Sequence, residues 1–203
     1  MVRVVKNPEE RREELIDIAI KLFMENGYEN TSVKSIYTEV NGSFGMFYHH
    51  FKSKEEIFEA AMNKYTDLFV EKIGAILQNT EIPFEQRYQL VFSHWLGLIN
   101  GRDKVRGTQH DEEVFRLLSG KMLSGAVDPV ILYIEEGITK GLMKTDDSRQ
   151  SAIILVYGIF GLLQEERKRV ASSENAPHIF KQVSKLISLL LGADENKCDL
   201  LKG

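Results

Sequence analysis

A single cysteine, Cys198, excludes a disulfide framework and a cysteine-based zinc site, and gives no reason to place the chain outside a reducing compartment. Only four prolines occur (Pro8, Pro83, Pro129 and Pro177), so most segments are free to run as uninterrupted helices. No stretch reaches the roughly 18 to 20 apolar residues that a membrane span needs. The opening segment "MVRVVKNPEERREE" has no apolar run that would serve as a signal peptide, and the expected location is the cytoplasm.

Basic excess is missing too. The formal net charge is −4, and residues 1–54 carry eight Lys or Arg against eight Asp or Glu. Whole-chain charge therefore does not point to nucleic acid, although a local patch can act within an acidic protein. The chain contains no G-x-S-x-G, no P-loop and no H-E-x-x-H, so an enzyme is not expected. "HDEE" at 110–113 could suggest a metal site, as could His94 near Trp95, but the reading taken is a solvated charge run. The expectation is no catalytic residue, no metal and no cofactor. "NGS" at 41–43 matches a glycosylation sequon, read here as coincidence.

What is present is helical. In 203 residues, 43% hydrophobic and 28% charged, apolar positions recur three and four apart rather than alternating. Leu15, Ile16, Ala19, Leu22 and Phe23 form one stripe between Glu9 and Asn26, and Gly27 supplies a stop. Thr31 or Ser32 can cap a short second helix from Val33 with Ile36 and Val40 on its inner face. Asn41-Gly42 breaks that helix, and Ser43 can cap a third, on which Phe47 and Phe51 share one face.

A longer helix from Ser53 to Leu77 leaves the first compact unit near residue 52 and enters a second. Further helices are expected at 84–100, 112–123, 129–141, 148–170 and 177–191. The fold class is all-α: an N-terminal three-helix unit at 1–52 and a larger helical unit at 53–203.

Two short helices joined by a Gly-containing turn, after a longer amphipathic one, form a helix-turn-helix at about 32–51 whose second helix can enter the major groove. Here "GYENTSVKSIYTEVNGSFGMFYHHFKSKEEIF" resembles the signature of TetR-family transcriptional regulators. The matching positions are Gly27, Tyr28, Thr31, Ser32, Val33, Ile36, Ser43, Gly45, Phe47, Tyr48, His49, Phe51 and Lys54, and the likeness covers roughly residues 9 to 69. It implies a DNA-binding regulator released from a palindromic operator by a small apolar or amphipathic effector, with 1–52 as the helix-turn-helix DNA-binding domain and 53–203 as the effector-binding and dimerisation domain. The alternative is a helical interaction or signalling protein with a vestigial helix-turn-helix.

Within that motif Phe47 and Phe51 should anchor the reading helix. Thr31, Ser43, Tyr48, His49 and Lys54 carry donors where phosphates would lie, fixing register without reading sequence. Gly45 permits close backbone approach. Base reading falls to Phe44 and Met46, with Ser32 and Lys34 as additions. Two departures from the family pattern stand out: Asn41-Gly42 lacks the valine that pins the turn, and Phe44 replaces a polar reader, which suits contact with a thymine methyl.

In the second domain, Phe69, Phe92, Trp95, Phe115, Met122, Tyr133 and Tyr157 could line an apolar pocket, with His94, Gln109 or Gln164 as polar contacts. The run from Ala152 to Leu163 is too short for a membrane span and apolar all round, so it needs cover on both sides. Val156, Gly158, Ile159, Gly161 and Leu162, with Phe180, Val183 and Ile187 of the last helix, resemble the helices that pair in TetR-family dimers. A homodimer also suits two half-sites about 34 Å apart. The Ser53 to Leu77 helix, shared by both units, is the expected transmitter.

Overall fold

A computed structural model describes residues 7–101, 109–169 and 176–192, with side chains described for 7–95, 119–165 and 178–192. Among these residues every regular element is a helix: α1 (Pro8–Asn30), α2 (Val33–Glu39), α3 (Phe44–His50), α4 (Lys54–Leu77), α5 (Phe84–Gly101), α6 (Gln109–Thr139), α7 (Ser148–Arg169) and α8 (Ala176–Leu191). The all-α expectation therefore holds. The chain divides into two compact units, Met1–Leu68 with Gly101–Gly120, and Phe69–Asn100 with Lys121–Gly203.

The first unit is built by its caps. Asn7 accepts from the Glu9 N–H at 3.1 Å, and Pro8 occupies a first-turn position where its missing N–H costs nothing. Gly27 leaves the helical region with φ 81°, and the segment to Asn30 follows across that kink. At the start of α4, Ser53 Oγ accepts from the Glu56 N–H at 3.3 Å, while the Glu56 carboxylate reaches back to the Lys52 N–H at 2.6 Å.

Its core collects one stripe from each helix: Leu15, Ile16, Ala19 and Phe23 of α1, Ile36 of α2, Phe47 of α3, Phe51 just beyond it, and Ile57, Ala61 and Met62 of α4. Each fully buried apolar side chain of this kind contributes about 1.5 to 3 kcal/mol. Lys64 of α4 adds ion pairs at 2.7 Å to both Glu13 and Asp17 of α1. The first turns of α4 thus belong to the packing that fixes α1 to α3.

In the second unit, α5, α7 and α8 fall within a residue of their expected bounds. Two helices expected at 112–123 and 129–141 are instead one, α6, with Pro129 inside it. A proline removes one helical hydrogen bond but does not end a helix whose flanking faces are buried. Ala126, Val127, Tyr133 and Ile134 are buried on either side of it, and the Pro129 ring lies 3.7 Å from where a side chain would begin on Gly74. Tertiary packing outweighs the local break.

Candidate functional site

The turn between α2 and α3 has the geometry its residues suggest. Asn41 takes the left-handed conformation with φ 51°, and the N–H groups of Asn41 and Gly42 donate to Thr38 O at 2.9 Å and Tyr37 O at 2.7 Å. Ser43 then caps α3 by accepting from the Met46 N–H at 3.3 Å. Ser32 caps α2 in the same way, accepting from the Ser35 N–H at 3.0 Å while Ser35 Oγ accepts from the Ser32 N–H at 3.1 Å. Both short helices are therefore fixed at their N-termini by serine hydroxyls.

With Phe47 and Phe51 buried, α3 turns a different set of residues to solvent. Phe44 is 64% exposed and Tyr48 43%, and their rings lie 4.4 Å apart, centre to centre. Ser43, Gly45 and His49 are exposed beside them, as are Ser32 and Lys34 on α2. A side chain on Gly45 would meet nothing within 4 Å, so its absence is not required by the chain's own packing. Space is left there for something outside the chain.

Three of the expected DNA contacts are placed differently. Thr31 is 1% exposed, and its hydroxyl points to Gly27 O at 2.8 Å and Leu22 O at 3.1 Å. That side chain packs against the end of α1, its hydroxyl turned to main-chain carbonyls instead of facing a phosphate. Met46 is half-buried, and its Cε occupies the space a side chain at Gly42 would take. The methionine covers the turn where the family pattern has a valine. Lys54 lies over the Tyr28 ring, its Nζ 4.1 Å from the centroid and 3.5 Å from Glu29 O.

Tyr28 itself carries a feature that its spacing did not reveal. Its hydroxyl donates to Glu55 at 2.8 Å, while its ring packs against Phe58 at 4.7 Å. Burial first, then this bond to a carboxylate, pushes the Tyr28 phenol up to about 12. Hydrogen bonds from Ser53, its own backbone N–H and Tyr28 hold Glu55 down to about 2. Nearby, burial and then His49 and the Arg12 guanidinium lower His50 from its usual value.

The second unit encloses a cavity of about 190 Å³ between α4, α5, α6, α7 and α8. Phe92, Trp95 and Tyr133 of the expected pocket residues line it, joined by Ile73, Phe84, Glu85, Tyr88, Val130, Met143, Leu155 and others. The other expected residues whose side chains are described lie outside that lining. Phe69 and Met122 are buried in packing outside the lining, and His94 stacks on Phe69 at 5.1 Å with its pKa lowered by burial and then by Lys72. Tyr157 is largely exposed, Gln164 is half-buried outside the lining, and the side chains of Gln109 and Phe115 lie outside the described residues.

Several residues expected at a subunit interface turn inward. Val156, Ile159, Val183 and Ile187 line the cavity, and Phe180 stacks on Tyr88 at 5.9 Å. Their helical spacing is the same as that of an interface stripe, and only the packing of α7 on α8 decides which stripe is inside. Gly158 lies where an added side chain would come within 3.5 Å of Leu186, Leu162 is half-buried and Gly161 is exposed. Among the described residues of α7 and α8, the large apolar side chains left exposed are Ile153, Ile154 and Tyr157 of α7 and Leu189 of α8, the last 74% exposed.

Arg87 was not singled out in the sequence, yet it is 2% exposed and organises one end of this unit. A signal was available: it sits three residues after Phe84 on the otherwise apolar face of α5, where a charge must find partners. Among the described residues no helix is long and apolar enough to cross a membrane, and no cluster of His, Cys, Asp or Glu could hold a metal ion.

Comparison with known proteins bears on both units. Residues 15–61 match the family model described as bacterial regulatory proteins, tetR family. The chain is 33% identical over 136 residues to the HTH-type transcriptional repressor KstR2 of Mycobacterium tuberculosis, covering 67% of this chain and 63% of that protein. It is 36% identical over 151 residues to the HTH-type transcriptional regulator YerO of Bacillus subtilis, covering 73% of this chain and 47% of that one. The match thus spans less than two thirds of either relative.

Among solved structures, a TetR-family regulator from Mesorhizobium loti superposes with a TM-score of 0.68 at 17% identity, covering 91% of this chain and 96% of that one. FadR of Bacillus subtilis, solved in complex with stearoyl-CoA, gives a TM-score of 0.58 at 20% identity, over 87% of this chain and 97% of that one. At these identities the likeness establishes the fold.

Proposed function

The chain belongs to the TetR family of bacterial regulatory proteins, and we propose that it is a dimeric transcriptional repressor, released from a palindromic operator by a small apolar or amphipathic effector. One observation carries this reading. The exposed face of α3 (Phe44, Gly45, Tyr48 and His49) is held rigid by a buried one (Phe47 and Phe51), in the same chain that encloses an apolar cavity.

Ser43, Tyr48 and His49 supply donors for phosphates, with Lys54 able to join them by leaving the Tyr28 ring. Phe44 reads a thymine methyl, with Ser32 and Lys34 as neighbouring contacts. The division of labour falls near residues 52 and 53, although the first turns of α4 brace the reading domain. α4 continues without a break from Lys54 to Leu77, so a shift of its C-terminal end can be carried to its N-terminal end. The effector must bind the DNA-free arrangement more tightly than the DNA-bound one, since equal affinity for both would release nothing.

The named activity of KstR2 as a repressor, and the stearoyl-CoA held by the structurally similar FadR, support repression and an amphipathic ligand respectively. Ile153, Ile154, Tyr157 and Leu189 supply the apolar surface that a second copy would cover, with Gly161 allowing close approach. Equal numbers of acidic and basic residues in 1–54 favour the other reading, an interaction protein with a vestigial helix-turn-helix. Fluorescence anisotropy with selected duplexes at rising salt separates them: the repressor binds one duplex class with an affinity that falls as salt rises, the alternative binds none specifically.

A further inference from the structure

We propose that the cavity of the second unit selects a small lipophilic cation, an amine or quaternary ammonium on an apolar body, held by the Glu85 carboxylate and the surrounding aromatic rings. The inference rests on reading this cavity as the effector site. Among the described lining residues Glu85 is the one with a formal charge, and none is Lys, Arg or His. Among the described residues it has no ion pair and no hydrogen-bond partner.

Two cations of the same unit are paired with a different carboxylate. Arg87 and Lys140 both pair with Glu136, at 2.7 and 3.3 Å, and neither lines the cavity. Both also lie 5.8 Å from the Phe84 ring centre. An anionic head group entering the cavity would find no cation among the described lining residues, and would meet the Glu85 carboxylate instead.

The walls favour the opposite sign. Phe84, Tyr88, Phe92, Trp95 and Tyr133 contribute aromatic rings to the lining. The polar tip of Tyr133 is already used, donating to Phe84 O at 2.8 Å, and Tyr88 Oη lies 3.4 Å from Ser184 Oγ. What these residues offer a ligand is ring surface, whose negative quadrupole attracts a cation, next to one carboxylate. Leu155, Val156, Ile159, Val183 and Ile187 complete the cavity with surface suited to an alkyl or aryl body.

Trp95 is the only tryptophan in the chain and lines the cavity, so its fluorescence reports occupancy directly. Full-length protein bound to a labelled operator duplex is titrated with octyltrimethylammonium, octan-1-ol and octanoate, following Trp95 emission and duplex anisotropy together. The proposal expects octyltrimethylammonium to bind about tenfold tighter than octan-1-ol, octanoate to bind most weakly, and Glu85→Gln to remove the cation's advantage while leaving octan-1-ol unchanged.

Octanoate binding tightest, or an unchanged order of affinities in Glu85→Gln, overturns it. The two readings fail separately. Equal binding of the cation and the alcohol with release of the duplex sinks the cation preference and keeps the effector site. A Glu85-dependent cation preference with the duplex still bound keeps the site and sinks the effector role. No change in Trp95 emission with any of the three overturns both.

Discussion

The Arg87 guanidinium and the Glu136 carboxylate meet at 2.7 Å, and the same guanidinium donates to Leu77 O at 3.0 Å and Ile82 O at 2.9 Å. One side chain thereby ties the last residue of α4 to α5 and α6 beside the cavity. Replacing Arg87 with Met keeps much of the apolar stem but leaves two carbonyls and a carboxylate without this donor. The loss should be about 3 kcal/mol of stability, read from the urea midpoint. Glu136→Gln, whose amide oxygen can still accept, should cost about 1 kcal/mol.

Thr31 separates a structural role from a DNA contact. Thr31→Val keeps the shape and removes the hydroxyl that reaches Gly27 O and Leu22 O, so thermal unfolding should show a loss of about 1 to 2 kcal/mol. Thr31→Ser should retain most of it. DNA affinity measured well below the unfolding transition should be the same for all three proteins; a residue that gripped a phosphate would instead lose affinity without losing stability.

The fate of Thr31 illustrates where reading the sequence stops. Element type and order were legible because a 3.6-residue period and capping residues act locally: Ser32, Asn41 and Ser43 do what their chemistry suggests. Contacts between elements were not. The stripe of Val183 and Ile187 is apolar whether it faces a cavity or another subunit, and the burial of the Thr31 hydroxyl against Leu22 O and Gly27 O depends on how the chain folds back after Gly27. Pro129 was read as a boundary since local strain is visible in sequence and the packing that overrides it is not.

Gly42 and Met46 should behave as a coupled pair. A side chain at position 42 meets Met46 Cε and comes within 3.0 Å of Tyr37 O. Gly42→Val alone should destabilise the first unit by about 1 kcal/mol, and adding Met46→Ala should recover part of that loss. The double-mutant cycle should give a coupling of at least about 0.5 kcal/mol. Strictly additive costs would mean that Met46 does not cover the turn.

The Tyr28–Glu55 bond sets two pH limits. Glu55, held at about 2 against an ordinary 4.5, contributes stability present above pH 4.5 and lost as pH falls towards 2. Tyr28, raised from 10.0 to about 12, contributes stability present below pH 10 and lost as pH rises towards 12. Urea unfolding across both windows should show Tyr28→Phe flattening the acid limb, since one of the donors to Glu55 is gone, and abolishing this residue's share of the alkaline one.

The most direct test of the account is selection of bound duplexes from a random pool, with wild-type protein and Phe44→Ala side by side. The account predicts enrichment of an inverted repeat whose half-sites lie about one helical turn or a multiple apart. Binding to it should weaken as salt rises, and Phe44→Ala should relax the choice at an A·T pair while leaving the unfolding midpoint within about 0.5 kcal/mol of wild type. A pool that shows no enriched sequence, or a Phe44→Ala variant with unchanged base preference, would contradict it.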